Sequence, residues 1–445
     1  MRQDMQDLTT GSLWKKILLF SVPLMLSNVL QVLFNMADVA VVGRFAGSMA
    51  LGSVGSTTTL VAMFTGFLIG LSGGINVLTA HYLGARDKKG ITQIVHTAAI
   101  ISLAIGIVLM IGGIGLSRGI LLLLKTKSEL IDGAVLYIRI YLCGMPAMAI
   151  YNFGNAVFSA SGDTKRPLFY LMLAGVINVL LNLFFVIVCK MNVAGVALAT
   201  IVSQYISATL ILLALFRSSA DIRMRLHDLH LDRKKAKDIL AIGIPAGLQN
   251  AIFQIANLFI QTGVNSFDAV MVAGNSAAAN ADALVYDVMA AFYTACGSFM
   301  GQNYGAGKKE RILKSYWICL AYSFGIGAIL GGLLVCFGRT FLSLFTAEAA
   351  VMEAGMKRLS IMGVSYCVSA FMDNTIAASR AMGKGLVPTI IVIMGSCVFR
   401  VIWVYTIFAY FKTIPSLYLL YVFSWSITAT AEMIYFFKIY KKTVR

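Results

Sequence analysis

Charge is scarce in this sequence. Asp, Glu, Lys and Arg together make up 12% of its 445 residues, about half the share in an ordinary soluble protein. Hydrophobic residues reach 59%, which argues against a soluble enzyme. Proline is scarce too, with 6 in the chain, and so much apolar sequence excludes intrinsic disorder. The seven cysteines stand singly, with no C-x-x-C pair, so neither a disulfide framework nor a zinc site is indicated. Of the four histidines only His227 and His230 stand close together, in a charged loop; solvated imidazoles are expected there rather than metal ligands. No P-loop, G-x-G-x-x-G, H-E-x-x-H or G-x-S-x-G motif occurs. Any transport must therefore draw on an ion gradient or run downhill, and no cofactor is expected. No acid/base pair stands with a nucleophile, so an enzyme is not expected either.

What is abundant is long apolar sequence. At about 20 residues per bilayer crossing, segments at 17–40, 50–82, 93–116, 131–160, 167–189 and 193–216 predict six spans. Segments at 238–263, 270–300, 312–337, 356–382, 386–411 and 414–437 predict six more. The first apolar run is too long for a signal peptide and lacks a small-residue cleavage site, so it is read as span one. The predicted fold class is all-α: a polytopic membrane protein of twelve helices. Residues 1–216 form an N-terminal lobe, 217–237 a basic linker and 238–445 a C-terminal lobe.

The formal charge of +17 would suggest nucleic acid in a soluble protein. Here the basic residues cluster at the ends of apolar segments, so the membrane surface is the expected partner and nucleic acid is not. With a cytoplasmic start, 25 Lys and Arg fall on the inner side and 9 on the outer, with Arg139 and Arg400 inside spans. That bias predicts a plasma-membrane protein with both termini in the cytoplasm.

The two sets of six look duplicated. At an offset of 222, Lys15, Ile17, Leu18, Pro23, Leu26, Asn28 and Asn35 meet Lys237, Ile239, Leu240, Pro245, Leu248, Asn250 and Asn257. At 221, Gly84-Ala85 meets Gly305-Ala306, and Gly162 and Pro167 meet Gly383 and Pro388. An even number of spans per repeat gives both halves the same orientation.

Polar groups inside these spans are the functional candidates, because an unsatisfied one in hydrocarbon costs several kcal/mol. Asn28, Gln31, Asn35 and Asp38 share one helix face of span one; span seven repeats the stripe with Asn250, Gln254, Asn257 and Gln261, without a carboxylate. Such amides also serve as glue between helices. Asn152, Asn155 and Ser159 share a face of span four, Asn178 and Asn182 are i, i+4 in span five, and Thr200 lies in span six. The second half carries Gln249, Asp282, Tyr286, Asp287, Tyr293 and Asp373. Arg400 is its one strong base, expected to neutralise Asp373, and Glu432 is expected at the membrane interface. Pro23 and Pro245 each predict a kink or a hinge early in the first span of a half. The Gly-rich run "GFLIGLSGG" is read as a close helix contact.

The segments "SVPLMLSNVLQVLFNMADVAVVGR", "AHYLGARDKK" with its echo "GQNYGAGKKE", "SASGDTKRP" and "AMGKGLVP" resemble the multidrug and toxic compound extrusion (MATE) family, and with the duplicated layout the likeness covers nearly the whole chain. The resemblance implies two pseudo-symmetric six-helix lobes around a central cavity. It also implies export of organic cations and amphipathic toxins in exchange for H+ or Na+. It assigns cation coupling to Asp38, Asn178, Asn182 and Thr200, with Asn35 beside them; Asn182 replaces an acid of the family pattern, which favours protons over Na+. It points likewise to Asp373, whose usual span-seven Glu is replaced here by Gln249 and Gln254.

The expected mechanism follows. A carboxylate in a poorly hydrated pocket takes up a proton more readily than one in water. Asp38 binds a proton, rearranges its contacts and closes the drug site, and the lobes turn inward. Gln31, Asn155, Gln249, Gln254, Asn257, Asp282, Tyr286, Asp287, Asp373 and Arg400 are assigned to the substrate cavity, where acids and aromatic faces attract cations. A monomer in the lipid bilayer is expected. The competing readings are a flippase for lipid-linked, pyrophosphate-bearing precursors, which four buried acids against two buried bases oppose, and a passive channel.

Overall fold

The computed structural model describes residues 7–218 and 221–444. Arg2 and Arg445, counted in the charge bias, and positions 219 and 220 of the linker lie outside the described residues. Among the described residues all regular structure is helical. Helix α1 (Leu13–Val41) ends in a π-helical turn, Val42–Ala46. Then come α2 (Ser48–Ser56), α3 (Thr58–Gly84), α4 (Lys88–Leu123), α5 (Ser128–Leu142), α6 (Met145–Ala160), α7 (Lys165–Leu183) with its π turn Phe184–Val188, and α8 (Asn192–Phe216). The second half has α9 (Arg233–Val264), α10 (Ala269–Gly305), α11 (Lys309–Leu342), α12 (Ala349–Ala381), α13 (Leu386–Phe411) and α14 (Ile414–Val444). Ten helices and the bent pair α5–α6 are long and apolar enough to span a bilayer. Helix α12 is as long, at 33 residues, but includes Glu353, Lys357, Arg358, Asp373 and Arg380. Taking it as the twelfth, the two sets of six stand.

Two predicted spans are not single helices. Residues 50–82 are divided between α2 and α3 at Thr57, whose hydroxyl donates to the Val54 carbonyl at 2.7 Å. Residues 131–160 bend by 46° between α5 and α6. Gly144 precedes a helix that starts with Pro146 at its first turn, where proline's missing N–H costs nothing.

The chain packs as two compact units whose borders are not at the linker: Leu26–Gly247, here the N-unit, and Met1–Met25 with Leu248–Arg445, the C-unit. Both borders fall two residues after a proline, Pro23 and Pro245, inside helices that run through it unbroken. Each unit thus takes the opening of its partner repeat's first helix. In the N-unit a Cβ on Gly70 would meet the Ala246 carbonyl at 2.5 Å, and one on Gly74 the Gly243 nitrogen at 2.8 Å. The glycine-rich run is therefore where α3 and the start of α9 touch backbone to backbone. In the C-unit Ile17, Phe20 and Leu24 of α1 join the core of α10–α12 and α14, with Phe20 edge-on to Phe299 at 5.4 Å.

The chain ahead of each of these helices is docked too. Leu8 N–H donates to Gln302 Oε1 at 3.1 Å, Lys308 Nζ to the Thr9 carbonyl at 2.8 Å, and Arg311 Nη1 to the Gly11 carbonyl at 3.0 Å. The basic linker lies on the N-unit: Ile222 and Met224 are buried, Arg225 N–H donates to His96 Nε2 at 3.3 Å, and Lys235 Nζ sits 3.6 Å from the Tyr82 ring centre. The paired Gly-Ala-basic loops share a left-handed residue, Arg86 at φ +54° in one and Gly307 at +68° in the other.

Candidate functional site

Asp38 sits near the end of α1, four residues ahead of the π turn, and Asn182 sits two residues ahead of the π turn that ends α7. Such turns are rare and cluster at functional sites. Helices α1 and α7 approach closely because Gly175 leaves room for the Phe34 ring, which occupies the place of a Cβ there. Asn182 Nδ2 donates to Asp38 Oδ1 at 2.5 Å and to Asn178 Oδ1 at 3.2 Å, and the Thr200 hydroxyl of α8 donates to Asp38 Oδ2 at 3.4 Å. Asn178 and Asn182 are buried, and Asn182 Oδ1 has no hydrogen-bond partner. Stacked Tyr137 and Tyr141 of α5, with ring centres 6.0 Å apart, lie within range of the Asp38 charge.

The structure thus brings Asp38, Asn178, Asn182 and Thr200 together from three helices, 162 positions apart at most. Their oxygens offer a proton acceptor, or a set of hard ligands of the kind alkali and alkaline-earth ions take. Asn35 and Gln31 are exposed and stand outside this hydrogen-bonded group. Asn155, on α6, keeps a buried Oδ1 without a partner.

In the C-unit the repeat places Ile260 at the position of Asp38 and Arg400 at that of Asn178 (offset 222), and Tyr421 at that of Thr200 (offset 221). Where one unit has an acid among amides, the other has a base among rings. The Arg400 guanidinium lies 4.6 Å from the Tyr421 ring centre, 5.4 Å from Phe253 and 5.7 Å from Trp425. Its Nε donates to Ser424 Oγ at 3.0 Å, while one Nη has no partner. Two π turns, Ile393–Val398 and Val404–Phe408, flank it. The expected Arg400–Asp373 ion pair is not formed. The two lie within electrostatic range, along with Tyr286, but without an N···O contact of 4.0 Å; Arg400 instead lies against the ring faces and Ser424.

Asp282 is not a free acid. It accepts from both Arg358 Nε, at 3.1 Å, and Arg358 Nη2, and from the Tyr366 hydroxyl; Asn275 completes the cluster by accepting from Arg358 and Tyr418. Gln249 accepts from Arg380 Nη2 at 2.8 Å. Gln254 and Asp287 are half-buried, and Asn257 and Tyr286 are exposed. The count of two buried bases is also corrected. Arg139 is exposed, whereas Arg358 and Arg380, counted as loop residues, are buried in α12 with Arg400 buried in α13. Hydropathy could not show this, since Arg358 and Arg380 each stand two residues from an end of the predicted segment 356–382. Glu432, expected at the interface, is 0% exposed. Among the described residues no group of three or more His, Cys, Asp or Glu is arranged to hold a metal.

The MatE family model matches the chain twice, over residues 23–184 and 245–406, the spacing of the internal repeat. The chain is 30% identical over 392 residues to the probable multidrug resistance protein YpnP of Bacillus subtilis (strain 168), covering 86% of this chain and 87% of that protein. It is 24% identical to the probable multidrug resistance protein NorM of Thermotoga maritima, over 89% and 86%. It is 22% identical to the FAD transporter of Shewanella oneidensis, over 79% and 78%. Among solved structures, an outward-facing multidrug resistance MATE transporter of the MOP superfamily superposes with a TM-score of 0.91 at 24% identity, covering 98% of each chain. A Pyrococcus furiosus MOP-superfamily transporter, described as having a binding pocket of reverse polarity, superposes at 0.92 and 24% identity over 99% and 98%. The twofold family match, the near-complete relatives and the shared fold together place the chain in the MATE family of multidrug efflux transporters.

Proposed function

We propose that this protein exports organic cations and amphipathic drugs in exchange for protons, by alternating access, with Asp38 as the coupling carboxylate. The observation that supports this most is the Asp38 group itself: an acid within a spanning helix whose partners are two neutral donors, Asn182 and Thr200, and, among the described residues, no base. With no fixed countercharge, a proton or a metal ion must balance it. Loss of the family's second acid at Asn182 leaves one charge, which suits a proton better than Na+. The twelve-span layout and the bias of basic residues support a plasma-membrane location with both termini in the cytoplasm.

The decisive measurement is pyranine-reported proton movement in proteoliposomes when ethidium is added. Wild type should move protons, and a pH gradient but not a Na+ gradient should drive ethidium efflux from everted vesicles. An Asp38→Asn protein that exchanged normally would end this reading. A second reading, export of an anion, is favoured by one observation: Arg400 is buried, with an Nη free of partners. Carboxyfluorescein in place of ethidium distinguishes the two.

A further inference from the structure

We propose that Glu432 is a second proton-binding site, present in the C-unit and without a counterpart in the N-unit. Glu432 is fully buried in α14, and neither carboxyl oxygen has a hydrogen-bond partner. A carboxylate ion placed alone in such surroundings is among the costliest groups a protein can bury. A structural role would supply partners, and none is present among the described residues.

The repeat sharpens the point. At an offset of 221, Ser203, Ser207 and Ala208 of α8 fall on Ser424, Thr428 and Ala429 of α14, and Ile211 falls on Glu432. Ile211 is a fully buried member of the N-unit core. The equivalent position of the other unit packs an isoleucine, so the packing of the repeat does not itself require the acid. The same offset places Arg380 on the buried Ser159. One repeat thus carries an acid and a base, on neighbouring helices α14 and α12, where the other carries Ile211 and Ser159.

They are nevertheless not paired. Glu432 lies within range of the Arg380 charge, but with no N···O contact of 4.0 Å. Arg380 is committed elsewhere: Nη1 donates to the Tyr293 hydroxyl at 2.6 Å, and Nη2 to Gln249 Oε1 at 2.8 Å and Thr389 Oγ1 at 3.2 Å. Its Nε is left without a partner. Helices α12 and α13 pack against α14, as does α11 through Tyr316 and Trp317 on Phe436 and Phe437, with the Tyr316 hydroxyl held by Thr375 Oγ1 at 2.9 Å. From them and from α14 itself, the charged and titratable groups that Glu432 faces are Arg380 and Tyr435; Tyr293 of α10 is reached only through Arg380.

Arg380 therefore has two possible sets of partners. With a proton on a Glu432 oxygen, the guanidinium stays on Gln249 and Tyr293. When that O–H bond breaks and the proton passes to water, the carboxylate competes for Arg380 and draws it from α9 and α10. Glu432 in this way sets whether Arg380 holds α9, the helix that contains Pro245.

This deepens the proton-coupled reading above, and its test separates the two. Infrared difference spectra of the full-length protein in nanodiscs, taken between low and high pH, should contain a protonated-carboxyl C=O band that Glu432→Gln removes and Asp38→Asn leaves in place. Glu432→Ile, which installs the residue of the other repeat, should fold and lose the same band. In proteoliposomes Glu432→Gln should lower ethidium-driven proton movement several-fold. If both variants keep every carboxyl band of the wild type, the inference is overturned. If wild type moves no protons with ethidium, proton-coupled export fails, while the infrared bands still decide the role of Glu432.

Discussion

At the scale of single residues, the two units treat buried charge in opposite ways. Asp38 has only neutral donors, and hydrogen bonds to a charged group are worth about 1.5–3 kcal/mol. Asn182, at 2.5 Å, should matter more than Thr200, at 3.4 Å. Asn182→Ala is expected to weaken proton coupling roughly 10- to 100-fold, and Thr200→Val by less; drug-driven pyranine traces on the two variants rank them. Asp282 and Arg358 are matched charges, so removing one strands the other. Asp282→Asn should cost about 3–5 kcal/mol, seen as a lower melting temperature in detergent, with a smaller loss when Arg358→Met is added. The members of the Asp38 group were legible in the sequence as polar residues inside apolar runs, and the family resemblance is what joined them into one site. Arg358, Arg380 and Glu432 were not, since each lies where an apolar run meets charged sequence and only tertiary packing decides on which side of that border it falls.

At the scale of elements, glycine and the pre-helix segments do most of the positioning. A side chain at position 74 would meet the backbone of Gly243, and neither backbone can yield. Gly74→Leu should therefore cost about 1–3 kcal/mol by overpacking, whereas Gly73→Leu, where a Cβ meets nothing within 4 Å, should be nearly silent; thermal melts compare them. The segment ahead of α1 is anchored through Asp7. Burial pushes its carboxyl up, but hydrogen bonds from the Thr9 hydroxyl and N–H, with Lys308 and Lys16 nearby, bring it below the usual carboxylate range. A lowered folded-state value means that the anchoring is fully present above about pH 4, the ordinary Asp value, and is lost as pH falls through the lower one. Hydrogen exchange over residues 7–17 should be flat from pH 7 to about pH 5 once corrected for the intrinsic rate, and should rise only in stronger acid. The helices themselves were readable from their apolar runs. The breaks at Thr57 and Gly144 were not, because a run of hydropathy does not register a change of direction.

At the scale of the whole molecule, the sequence repeat is visible as two matching sets of six, yet the compact units are not the two repeats. Pattern alone showed where the prolines stand; it did not show that the chain changes allegiance two residues beyond each. That change depends on contacts such as Gly74 with Gly243 and Phe20 with Phe299, residues far apart in the chain. The proposed orientation makes a topological forecast. Cys189, exposed in the loop after α7, should be labelled in intact cells by a membrane-impermeant thiol reagent, and a cysteine placed at Lys384 should react only after permeabilisation. The reverse pattern would invert the topology.

The exchange of opening helices also bears on ancestry. A single copy of the repeat, made alone, would lack the fifteen or so residues that complete its own fold, and would find them only in a sister polypeptide. An unduplicated repeat with these contacts would have to exchange opening helices with a second copy of itself. Cutting the present chain at the linker should restore that condition: either fragment produced singly should aggregate, and the two produced together should reassemble.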